Sequence, residues 1–101
     1  MLFEEFTWNY ADQSWYGPDL DPEDEVDYTI DFVDVLGTDT ISSVQITSSN
    51  VTVSTSSNTT TAVTAWLVAG IRNQVGLVTI HITTVGGRQL TQSFKVNIKD
   101  L

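Results

Sequence analysis

The chain contains no cysteine, two prolines, one methionine, one histidine and four bases among 101 residues. Each shortage removes a class of explanation. Without cysteine there is neither a disulfide framework nor a thiolate metal site, and synthesis in a reducing cytoplasm fits. His81, the one histidine, cannot build a His-based metal centre alone, and no Ser, His and Asp spacing suggests a catalytic triad. No stretch approaches the roughly 20 apolar residues of a membrane-crossing helix. The opening "MLFEEFTWNY" has acids where a signal peptide has bases and lacks an apolar run, so export by that route is not expected. With so few bases there is no basic stripe to meet phosphates, and nucleic acid is not an expected partner.

What is present is unevenly spread. Twelve of the 13 acids precede residue 40 and all four bases follow it, so residues 1–39 carry −12 and residues 40–101 carry +3, for a net −9. Such a layout suits head-to-tail contacts between copies, or docking of an acidic arm on a basic neighbour. The acids are densest in "DPEDEVD", residues 21–27. Asp19, Asp21, Glu23, Asp24 and Glu25 offer hard oxygen ligands, but their spacing lacks the glycine and distant glutamate of a calcium loop, and Pro22 stiffens the backbone. Asp21, Glu23, Asp24 and Glu25 therefore read as a solvated acidic leader, and no metal or other cofactor is expected.

The aromatics are also displaced. Residues 1–20 hold Phe3, Phe6, Trp8, Tyr10, Trp15 and Tyr16, six of the chain's ten. Neither a period of 2 nor one of 3.6 fits them, and "GPD" at 17–19 breaks the segment. Disordered tails are poor in aromatics, so this arm must be buried on its own domain or on another chain. Those six residues are the candidate partner-binding set.

From Val26 onward the pattern is that of strands. Tyr28, Ile30 and Phe32 alternate with Thr29, Asp31 and Val33, and "LGTD" at 36–39 reads as a turn. Ile41, Val44 and Ile46 mark a strand whose phase shifts, as a bulge would cause. "TSSNVTVSTSSNTTT" at 47–61 reads as a short edge strand and a loop. "AVTAWLVA" at 62–69 is a strand of ambiguous phase, because Val63, Ala65 and Leu67 compete with Trp66 and Val68 for the core. A last hairpin pairs Val78, Ile80 and Ile82 with Leu90, Phe94, Val96 and Ile98, turning on Gly86 and Gly87 with positive φ at both. Six or seven short strands at this spacing indicate an all-β, immunoglobulin-like antiparallel sandwich over residues 26–101, preceded by an extended arm over 1–25.

The stretch 21–41, "DPEDEVDYTIDFVDVLGTDTI", resembles a family of small tailed-phage virion proteins known as fiber–tail adaptors or neck structural proteins. Asp21, Pro22, Glu25, Val26, Asp27 and Tyr28 match the family's opening, Ile30 and Asp31 its first strand, and Leu36, Gly37, Asp39, Thr40 and Ile41 its turn. Phe32 stands where that family often has tryptophan. "TTVGGRQLTQSFKVNI" is similar to its closing hairpin. The resemblance implies an immunoglobulin-like module and a non-enzymatic virion part in the neck or tail, linking tail or fiber components to a portal or adaptor complex. It would be present in many copies, with other virion proteins as partners and no membrane or nucleic acid. Two alternatives remain: a capsid decoration protein, and a carbohydrate- or receptor-binding module, for which Trp66 is the one sandwich aromatic open to exposure.

Overall fold

The computed structural model describes residues 6–68 and 70–99. Phe3, proposed above as an arm contact, lies outside them.

The first core strand is β3, Val26–Asp31, which buries Tyr28 and Ile30 and turns Asp27 and Thr29 outward. It does not continue through Val33 as its alternation suggests. The Asp31 side chain accepts the Val33 N–H at 2.9 Å, a local turn that competes with strand pairing. The chain then makes one helical turn, α1, Val33–Leu36, closed by Gly37 at φ +61°. Next comes β4, Ile41–Ser49, with a register shift between Ile41 and Ser43 where the phase slip occurs. β5, Thr52–Asn58, takes up much of what reads as loop. The correction has a physical source: β5 hydrogen-bonds along its length to β6, Ala62–Val68, and its Thr and Val residues suit a pleated surface. β6 settles its own ambiguity, with Val63, Ala65 and Leu67 at 0% exposure and Trp66 and Val68 half-buried on the outer side.

β7, Val75–Thr84, and β8, Gln89–Asn97, form the closing hairpin. Only one of its two glycines has positive φ, Gly87 at +92°. Gly86 serves otherwise: a Cβ there would lie 2.8 Å from Asp39 Oδ2. The arm supplies two further short strands, β1, Thr7–Asn9, and β2, Ser14–Tyr16.

These strands form two layers. A five-stranded sheet runs β1-β2-β8-β7-β4 and a three-stranded sheet runs β3-β6-β5. All pairings are antiparallel except that of β2 with β8. Between the layers lie Ile30, Phe32, Val63, Leu67, Ile80, Ile82, Phe94, Val96 and Ile98, each at 0–1% exposure. Each large side chain of this kind contributes roughly 1.5–3 kcal/mol. Two members of the core come from the N-terminal segment, Phe6 at 9% and Leu20 at 0%. Among the described residues, no helix is long and apolar enough to cross a membrane.

Candidate functional site

The arm lies along the free side of β8. Gly17 N–H donates to the Lys95 carbonyl at 2.8 Å, Leu20 N–H to the Asn97 carbonyl at 3.0 Å, and Lys99 N–H returns a bond to the Leu20 carbonyl at 3.0 Å. Gly17 sits where only glycine fits, since a Cβ would meet the Tyr28 ring at 2.8 Å. The Tyr28 hydroxyl donates to the Pro18 carbonyl at 2.8 Å. Burial pushes that hydroxyl's pKa up to about 12, and the charge of Asp19 adds to the effect.

Upstream of this tether the arm folds back as the β1–β2 hairpin, with Trp8 opposite Trp15. Its five described aromatics do different things. Phe6 enters the core, edge-on to Phe94 at 5.0 Å and tilted against Tyr28 at 6.3 Å. Tyr28 stacks on Phe94 in turn, at 5.8 Å. Trp15 packs against the core rim and receives Trp8 at 5.3 Å, which itself meets Tyr10 at 6.2 Å. Tyr10, at the hairpin tip, is 85% exposed. Tyr16 faces the other way. Its hydroxyl donates to Asp12 Oδ2 at 2.6 Å, and Lys95 Nζ reaches the same oxygen at 2.8 Å. The Lys95 bond, then the Tyr16 bond, lower the Asp12 carboxyl below its ordinary value, and the bond to Asp12 raises the Tyr16 phenol. Both groups are open to water, so the triad orients the hairpin more than it stabilises it.

The acidic leader is a turn, with Asp21 accepting from Glu23 N–H through its side chain at 2.9 Å and from Asp24 N–H through its carbonyl at 3.0 Å. Glu23, Asp24 and Glu25 are exposed. Glu25 accepts a bond from the Ser54 hydroxyl at 2.7 Å. Asp19 pairs with Lys99 at 3.5 Å. Among the described residues, no group of three or more His, Cys, Asp or Glu is placed to hold a metal ion. His81 Nδ1 is 2.8 Å from the Thr91 hydroxyl on the neighbouring strand, and Trp66 lies across from Asp27 and Thr55 on the outer face of the small sheet.

One polar centre is not suggested by any spacing in the chain. Asp39 Oδ1 accepts from Thr40 N–H at 2.9 Å and Gly86 N–H at 3.0 Å, while Arg88 Nε approaches Oδ2 at 3.3 Å. Arg88 also donates to the carbonyls of Val35 and Leu36, at 3.2 and 2.9 Å, and so caps α1. The buried Thr84 hydroxyl bonds Asp39 and, with the two backbone N–H groups and Arg88, holds its carboxyl pKa down to about 2. "LGTD" and "GGR" each look like ordinary turns, and nearly 50 residues separate them. Only the pairing of β4 with β7 brings them together.

A family model described as podophage GP4 fiber-tail adaptor protein gp77 matches residues 20–97. No curated protein matches the chain. The family match begins at Leu20, so the β1–β2 hairpin lies outside it.

Proposed function

The chain belongs to the podophage GP4 fiber-tail adaptor protein gp77 family, and from that premise we propose that it is a non-enzymatic virion component of the neck and tail. In this reading it links tail or fiber parts to the portal and adaptor complex, and the β1–β2 hairpin is its docking element. The observation that carries the docking role is the division of labour among the arm aromatics. Phe6 and Trp15 anchor the hairpin, whereas Tyr10, with Trp8 beside it, stands out at a tip flanked by Asp12. A rigid hairpin with an exposed aromatic needs less ordering on contact than a loose tail, which favours affinity, and aromatic anchors are enriched at the energetic centres of interfaces. The acids of the leader lie exposed on the same chain segment and give the contact its preference for a basic neighbour.

The test is Tyr10→Ala in phage. Tyr10 is so exposed that the purified variant should melt as the parent does. Particles carrying it are expected to lose the chain or their fibers, and labelling of parent virions should place the chain at the tail–fiber junction. Normal fibered particles from Tyr10→Ala would remove the hairpin tip from the docking role. Label on the capsid shell would point to a decoration protein instead.

A further inference from the structure

Each sheet has two edges, and the chain treats them unequally. On the arm side the edges are β1, three residues long, and β3, which carries Asp27 and Asp31 and follows the acidic leader and Pro22. Short or charged edges resist the addition of further strands. On the opposite side the edges are β5 and β4. No charged residue and no proline occurs between Asp39 and Arg72. β5 is twisted out of register by a shift between Val53 and Thr55. β4 is nine residues long and regular from Ser43 to Ser49. In an edge strand alternate N–H and C=O groups point away from the sheet. Val44 and Ile46 on its core face are half-buried, whereas Ile82 and Ile80, their partners one strand inward, are at 0% exposure. The core thus runs out to β4 and stops there uncovered.

We propose that β4 is a self-pairing edge, across which two copies of the chain join antiparallel into one continuous sheet about a two-fold axis near Gln45 and Ile46. Charge selects a second copy as the occupant. With 12 of 13 acids before residue 40, copies that meet through the arm, the leader or β3 bring like charges together. Copies that meet through β4 do not. The strand is also complementary to itself. Antiparallel neighbours of equal parity share a face, so Val44 and Ile46 of each copy cover those of the other, and the two cores become one. Such an isologous contact closes on itself and does not propagate. The inference stands without the adaptor reading, because it concerns the free chain in solution.

The experiment uses the full chain in sedimentation and native mass measurements. Gln45 and Thr47 are exposed on the outer face, so replacing both leaves the monomer fold intact while setting like charges across the seam. The parent chain is expected to be a dimer. The Gln45→Lys, Thr47→Lys variant and the Gln45→Glu, Thr47→Glu variant should each be monomeric, and mixing them should restore a dimer containing one of each. The alternate amides of Ser43–Ser49 that point away from β7 should be protected from exchange in the parent and lose that protection in either variant, while those bonded to β7 stay protected in both. A monomeric parent overturns the proposal, as do variants that dimerise unchanged. Protection of β4 that arises only when a fiber or tail protein is added would also overturn it, and would assign the edge to a foreign strand.

Discussion

Two joints hold distant parts of this chain together, and they are built from opposite materials. At the arm, Phe6, Tyr28 and Phe94 interlock around Gly17. At the β7–β8 turn, Asp39, Thr84, Gly86 and Arg88 share a carboxylate. The first joint works by volume and apolar area, so it is sensitive to a methyl group and indifferent to acid. The second works by charge and hydrogen bonds, so it tolerates little loss of polarity and depends on pH. The lesson is one of exposure. The aromatic joint is closed to water and can depend on shape, whereas the Arg88 side chain is 47% exposed and Asp39 16%. Many bonds to one carboxylate compensate there for what single exposed ion pairs do not supply.

The contrast can be broken from either side. Phe6→Ala should have the largest effect, because it leaves a void against Phe94 and Tyr28 and releases the hairpin. A loss of about 3 kcal/mol is expected for such a truncation, read as a lower urea midpoint by tryptophan fluorescence. An unchanged midpoint would mean that the arm contributes nothing to the folded domain. Gly17→Ala follows, at roughly 1–3 kcal/mol, since a Cβ must displace the Tyr28 ring. Its effect should be the same at pH 3 and pH 7.

Asp39→Asn tests the polar joint, and its signature is pH. The folded carboxyl titrates at about 2 and the unfolded one near ~3.9. Between those values the unfolded chain binds more protons, so this contribution is complete above the unfolded value and disappears as pH falls through about 2. The difference in melting temperature between parent and Asp39→Asn should therefore shrink from pH 5 to pH 2. A difference independent of pH would show that the carboxylate charge is not what the turn uses. The smallest effect is expected for Tyr28→Phe, which removes the bond to the Pro18 carbonyl, worth about 0.5–1.5 kcal/mol. The Tyr28 hydroxyl titrates at about 12 when folded and near ~10 when unfolded. Its contribution is therefore present below pH 10 and is lost as pH rises through 12, a decline that the phenylalanine variant should lack.

The strands from Val26 onward are legible in the chain because one face of each is buried and the other wet. Alternation at Tyr28–Ile30, Val78–Ile82 and Phe94–Ile98 follows directly from that. Legibility fails where the local pattern is not the determining force. β5 reads as only a short edge strand before a loop because its Ser and Thr side chains are exposed, and its full length comes from pairing to β6. β1 and β2 are three residues each, too short to display a period, and their pairing depends on β8 at the other end of the chain. The aromatic crowding of the arm is visible without a structure. Which rings anchor and which stand out is not, because what sets Phe6 in the core and Tyr10 at the tip is what the fold places beside each. The family is legible for a third reason: its motifs coincide with the leader, the first strand and the turn, all within the matched residues 20–97.

The parallel pairing of β2 with β8 has a consequence in time. Tyr16 finds its partner at Lys95, roughly 80 residues later in synthesis, which at about 5–20 residues per second is a delay of roughly 4–16 s on the ribosome. Between their emergence and that of β8, Phe6, Trp8 and Trp15 have no strand to receive them, while β3 to β7 can already pair. The arm is thus made before the strand it lies on and is seated only after it.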